Sequence, residues 1–297
     1  MLALVLVGCG SVTQPARQIV TQAPLPPKVQ LDQTENFSGA NAMKLAETQM
    51  QWIPRDTGTP GWQANGDWIL QTLIDLGWDV EEQFFSVPEN KRGRNIIAKR
   101  GTGPLTIIGA HYDARRFADA ELDPALKAKP VPAANDGASG VAVLLELARV
   151  LKPERLNEEV WLTFFDAEDN GDIGQWDWIL GSTDVAAKLE STPKAVIVVD
   201  MIGDADQQIY YEQTSNRELM QQIWQVAANL KYPTFIPEYK HSMIDDHTPF
   251  LRKGYPAITI IDFDYPYWHT VSDTIDKLSP QSLESVGRTL EVWLTRD

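Results

Sequence analysis

Four short apolar runs, residues 105–110, 160–165, 195–199 and 257–261, are each followed at once or within a few residues by Asp, Glu or His. Each has strand length and β-branched or aromatic content. Stretches of helical periodicity lie before and between them, at residues 41–52, 62–76, 140–151 and 217–230, the second introduced by the turn Gly58-Thr59-Pro60-Gly61. Strands that alternate with helices imply a mostly parallel sheet covered on both faces. Residues 80–85 and 95–99 read as added antiparallel edge strands. The fold class expected is a single α/β domain with a mixed, mostly parallel central sheet and helices on both faces.

In an open α/β sheet, ligands bind beyond the carboxyl ends of the strands, so the polar residues that follow the runs should share one rim. They are His111-Tyr112-Asp113, Asp166-Ala167-Glu168-Asp169, Asp200 and Trp268-His269. Asn135-Asp136-Gly137-Ala138-Ser139-Gly140 adds a carboxylate just before the helical stretch at 140–151. Alone it reads as a helix N-cap; beside the others it reads as a ligand loop. The only cysteine is Cys9, so a metal must rely on imidazole and carboxylate. That donor set suits zinc, and a catalytic zinc keeps three protein ligands and an open position. Asp113, two residues beyond His111, is placed to orient that imidazole from behind. Adjacent acids such as Glu168 and Asp169 are ordinarily a solvated surface pair. Directly after a buried strand, one can bind metal while its neighbour carries a proton. His241 and His247 read as hydrogen-bonding histidines rather than ligands.

From about Asn41 to the C-terminus, the order of these motifs resembles the co-catalytic zinc aminopeptidases and their relatives, the animal-type and bacterial glutaminyl-peptide cyclotransferases. The resemblance implies a zinc aminopeptidase-like fold with His111, Asp136, Asp169, Asp200 and His269 around the metal and Glu168 as general acid/base. Aminopeptidases of the group hold two zinc ions bridged by the loop Asp, whereas the cyclotransferases use one, through the positions matching Asp136, Asp169 and His269. The aminopeptidases usually carry Glu where this chain has Asp169, and the shorter side chain alters the second metal site. The segments from His111 to Arg116 and from Phe165 to Asp169, Asp245-Asp246-His247-Thr248-Pro249-Phe250 and Trp268-His269-Thr270 resemble the bacterial cyclotransferases. By the same resemblance Asp245 joins a hydrogen-bond network with Asp200, and Trp268 shapes the substrate pocket. Trp176 and Trp178 are candidates for its other wall, with ordinary packing as the plainer reading of either. The resemblance thus implies a glutaminyl-peptide cyclotransferase with one zinc preferred and a second ion optional. A zinc aminopeptidase and a catalytically silent binding module of the same fold are the alternatives. The partner is a peptide or protein N-terminus, and a monomer is expected.

Charge excludes one class of partner. Lys and Arg number 26 against 41 Asp and Glu, a net charge of -15, whereas a phosphate backbone needs clustered cations. Nucleic acid is set aside. Residues 1–9 read as a partial signal segment in which Leu6-Val7-Gly8-Cys9 resembles a lipobox. An ordinary signal peptide or a chance Cys is the plainer reading. The apolar run lacks a basic start and is too short to span a bilayer. Residues 10–38, rich in Ser, Thr, Gln and Pro, read as a flexible tether, and residues 39–297 as the catalytic domain. Export is expected, with a lipid anchor at Cys9 as the only membrane contact.

Overall fold

The computed structural model describes residues 28–296. Two antiparallel strands, β1 (Asp79–Val87) and β2 (Lys91–Arg100), precede the four apolar runs, which form β3 (Leu105–His111), β4 (Glu159–Phe165), β5 (Ala195–Asp200) and later β8 (Ala257–Ile261). The sheet order is β1-β2-β4-β3-β5-β8, with β4, β3, β5 and β8 mutually parallel and the two early strands antiparallel to their neighbours. The expected mixed, mostly parallel sheet is therefore present. One detail differs: β2 is not an edge strand but lies between β1 and β4, buried from Gly93 to Ala98. Ile96 and Ala98 face one core and Ile97 the other, so β2 needs cover on both sides. The edge on that side is β1, whose Glu81 and Glu82 discourage pairing with another chain.

Side chains alternate across the central strands. Ile108, Ala110, Ile197 and Val199 join the larger core beneath α1 (Gly39–Gln49), α2 (Pro60–Asp75) and α3 (Ala138–Val150). Ile107, Val196 and Val198 face the smaller core under α4 (Leu180–Lys188). A two-stranded parallel ribbon, β6 (Ile209–Tyr211) with β7 (Phe235–Tyr239), packs with α5 (Arg217–Asn229). The short α6 (Thr248–Arg252) sits with α4, and α7 (Pro280–Leu294) lies across α1 and α3. Local chemistry fixes the starts: Thr59, Asn216 and Ser279 cap α2, α5 and α7 with their side-chain oxygens.

All 13 residues of α3 are buried, among them Glu146 and Arg149. Buried charges require partners, and these two use each other together with the chain before α1. Ser38 N and Asn41 Nδ2 donate to Glu146, and Arg149 donates to the carbonyls of Thr34 and Asn36. Phe37 is buried against Gly287 of α7. Residues 28–38, expected to belong to the tether, thus lie against the domain because two buried charges are satisfied by their backbone. The remaining tether and Cys9 fall outside the described residues. Among those described, no helix is long and apolar enough to cross a membrane.

Candidate active site

His111 and Asp200 are the last residues of β3 and β5, and Glu168 and Asp169 follow β4 by three and four residues. His269 lies in the loop after β8. The chain turns sharply there: Ala167, Met201 and His269 have φ of 57°, 46° and 54°. Non-glycine residues in that region cost strain, which concentrates where side chains must be aimed. Here it swings the side chains beyond three strands toward one cleft. The acid pair is clamped from behind, since the amides of Glu168 and Asp169 donate to Asp113 at 3.0 and 3.2 Å and Arg115 Nη1 donates to the Asp169 carbonyl at 3.0 Å.

The loop before α3 is fixed with equal care. Asn135 N and Asp136 N donate to Asp273 at 2.8 and 3.2 Å, and Arg55 donates to the carbonyls of Pro132 and Ala133. Burial and the neighbouring Asp136 charge push Asp273 up to about 7. Gly137 admits the close approach of His111, for a Cβ there would stand 2.5 Å from the His111 carbonyl oxygen and 2.8 Å from its Nε2. Gly137→Ala is accordingly expected to lower stability by about 1–3 kcal/mol, the range for overpacking a filled interior. A urea titration measures it, and a variant as stable as the parent would contradict the packing described.

Two trios of donors result, and Asp136 belongs to both. In the first, His111 Nε2 lies 3.1 Å from Asp136 Oδ1 and 3.2 Å from Asp200 Oδ1. In the second, His269 Nε2 lies 2.8 Å from Asp169 Oδ1 and 3.5 Å from Asp136 Oδ2. Asp136 Oδ2 and Asp169 Oδ2 are buried with no hydrogen-bond partner among the described residues. Unsatisfied buried carboxylate oxygens that face imidazole nitrogens are what a cation would complete, and nitrogen and oxygen donors suit zinc. Without a cation, protons take that role. Burial opposes a charge on His111, yet Asp113, Asp136 and Asp200 outweigh it and hold the imidazole well above its ordinary range. Burial pushes Asp200 up to about 7, and burial followed by the charges of Asp169, Asp246 and Asp245 drives Glu168 well above a normal carboxyl.

Asp136, Asp169, Asp200 and His269 of these trios line a cleft of about 260 Å³, with His111 buried behind them. Trp178 and Trp268 stack on the His269 ring, with centroids at 6.1 and 3.8 Å, and both line the cleft with Phe263, Met243 and Asp245. Arg115 lies 4.8 Å from the Trp178 ring and is ion-paired to Asp119, which stands 3.6 Å from His269 Nδ1.

Residues 95–294 match the model of peptidase family M28. The chain belongs to that family. It is similar across 88% of its length, and 82% of the relative's, to the glutaminyl-peptide cyclotransferase of Gloydius blomhoffii at 27% identity. Among solved structures it resembles the glutaminyl cyclase of Porphyromonas gingivalis, with 32% identity, a TM-score of 0.81 and coverage of 87% of this chain and 98% of that one. It also resembles a Zn-dependent exopeptidase of Parabacteroides distasonis, with 27% identity, a TM-score of 0.83 and coverage of 88% and 99%. The chain is an enzyme of the M28 fold rather than a silent module.

This M28 site gathers His111, Asp136, Glu168, Asp169, Asp200, Asp245, Trp178, Trp268 and His269. Two sequence-based placements change. Trp176 does not line the cleft: it is 3% exposed, donates Nε1 to Glu89 at 3.0 Å and packs under Arg116 with Val87. Asp113 stands 3.6 Å from His111 Nδ1, too far for a hydrogen bond, and braces the acid pair instead. Sequence reasoning did not single out Phe263, Met243, Asp119 or Asp273. Asp273 follows His269 by four residues, and nothing local separates it from a surface acid.

Proposed function

We propose that this M28 enzyme is a zinc-dependent glutaminyl-peptide cyclotransferase that converts the N-terminal glutamine of a peptide or protein to pyroglutamate with release of ammonia. The observation that carries the reading is the cleft. At about 260 Å³, with Trp178, Trp268 and Phe263 as walls and carboxylates as floor, it suits one residue folded back on itself rather than an extended peptide. The similarity to cyclotransferases over most of the chain supports the same reading.

Asp136, Asp169 and His269 would hold the zinc. A zinc held there would supply Lewis-acid polarisation of the side-chain amide carbonyl. The aromatic walls hold the glutamine side chain bent toward its own α-amine, which turns an improbable encounter into a positioned one. Glu168 takes a proton from the amine as its nitrogen bonds to the carbonyl carbon of the side-chain amide, Cδ. The same carboxyl returns that proton to the amide nitrogen as the old C–N bond breaks and ammonia leaves. Burial and the charges of Asp169, Asp246 and Asp245 keep the Glu168 carboxyl basic enough to accept the proton. Closure of the cleft by tryptophan keeps water from competing for the carbonyl.

A second reading has its own observation. Two trios sharing one carboxylate are the arrangement a two-ion aminopeptidase needs, with Glu168 activating water. The readings separate on paired substrates. The zinc-loaded protein is expected to act on a Gln-initiated peptide at least about 100-fold faster than on a Leu-initiated one, because only the first offers the carbonyl that the cleft positions. Faster release of free leucine would replace the cyclotransferase by the aminopeptidase. One tightly bound zinc per chain is expected.

A further inference from the structure

Glu212 lies far from the zinc donors in sequence and contributes no atom to the cleft, yet it is 1% exposed. Its Oε2 accepts from Thr214 N and Oγ1 at 2.9 and 2.8 Å and from Ser215 N and Oγ at 2.8 and 2.9 Å. A buried carboxylate so fully satisfied is a fixed charge. Burial opposes ionisation, but the His247 ring and the Thr214 donors outweigh it and bring the group down to about 2.

Two routes lead from this anchor to Asp245 on the cleft wall. One passes through His247, which is wholly buried, with Nε2 3.1 Å from Thr214 Oγ1 and 3.4 Å from Glu212 Oε2. Its Nδ1 has no hydrogen-bond partner and faces Asp245 Oδ2 at 3.8 Å. The Thr214 hydroxyl proton is committed to Glu212, so Nε2 must be the donor on that side. The other route passes through Ser215, whose Oγ accepts from Thr259 N at 3.2 Å, while the Thr259 hydroxyl donates to Asp245. Glu212 Oε1 also accepts from Met243 N at 3.3 Å, so the same carboxylate ties down a second wall residue. Both routes end on the carboxylate that stands beside Glu168 and Asp200.

We infer that Glu212 and His247 form a buried positioning unit that fixes the orientation of Asp245, with the His247 ring packed against one face of its carboxylate and Thr259 holding the other. The role of Asp245 in turnover rests on the function proposed above, whereas the positioning itself does not. The sequence neighbour of His247, Asp246, is a further buried acid, with both oxygens unpartnered among the described residues.

The test compares His247→Gln, His247→Asn and Glu212→Gln with the parent on whichever N-terminal substrate, Gln-initiated or Leu-initiated, the parent turns over. Failure of the cyclotransferase reading is then visible in the parent alone. A Gln side chain reaches toward the Nε2 place and leaves Asp245 unserved, while Asn puts an amide near the Nδ1 place. His247→Gln is expected to lower kcat by about 10- to 100-fold, the cost of a small misplacement in a site. KM should stay within about threefold, and His247→Asn should recover much of the loss. Glu212→Gln, approached from the far end, should lower kcat likewise. Zinc affinity by chelator competition should match the parent in all three, since none of the substituted residues belongs to a donor trio. Hydrogen exchange should speed up in residues 242–248 alone. If His247→Gln and His247→Asn lose activity equally, or if each variant keeps the parental kcat per zinc-loaded molecule, the unit is only structural and the inference is overturned.

Discussion

Glu168→Gln is expected to lower kcat on a Gln-initiated peptide by about 1,000-fold, within the range of about 100- to 10,000-fold typical of a positioned proton carrier. The zinc content should not change. Gln has the same shape, and Glu168 belongs to neither donor trio. Stability should hold or rise, because the parent buries this carboxyl beside Asp169, Asp245 and Asp246. A neutral amide removes one charge from that group. Steady-state kinetics on protein of measured zinc content decide the matter. A variant that keeps a tenth or more of the parental kcat would strip Glu168 of its role.

Asp136→Ala has the larger consequence for the metal. Asp136 is the one residue common to both trios, so its loss disables either occupancy. Changes in residues merely behind a ligand cost about 10- to 100-fold in metal affinity, and loss of the ligand itself is expected to exceed about 100-fold. The loop should survive, since Asp273 holds it through backbone amides that the substitution leaves in place. Chelator competition should therefore show weak zinc binding in a protein whose metal-free melting temperature is close to the parent's. Parental zinc affinity would show that the metal sits elsewhere.

The sheet was legible because β3, β5 and β8 are buried along their length, which leaves runs of apolar residues that few other elements share. The position of β2 was not, since Arg94 and Asn95 make a buried strand look like an edge until their partners are known. Arg94 is held by Asp67 and Glu82, and Asn95 donates to Gly181. The chain before α1 read as tether for a related reason: its anchor, Glu146 with Arg149, lies more than a hundred residues away. The start of α7 carried a readable signal in Ser279-Pro280.

For the site, strand-end position was the informative signal, and it found the floor of the cleft. The walls depend on loop shape. Trp176 and Trp178 stand two residues apart, and the turns at Asp172, Gly174 and Ile179, all with positive φ, send one into a buried cluster and the other onto His269. Asp113 kept its place behind the site but not its partner, because two free backbone amides are nearer than the imidazole. Asp273 and Glu212 are ordinary acids in sequence, and burial alone gives them their roles.

Ring closure and hydrolysis are told apart by the fate of oxygen. The zinc-loaded enzyme is incubated with a Gln-initiated peptide in heavy-oxygen water, and the products are weighed by mass spectrometry. Ring closure by the substrate's own amine predicts a peptide lighter by one ammonia that carries no solvent oxygen. Free glutamine, or any product that has taken up heavy oxygen, would mean that water is the nucleophile and would contradict the cyclotransferase account.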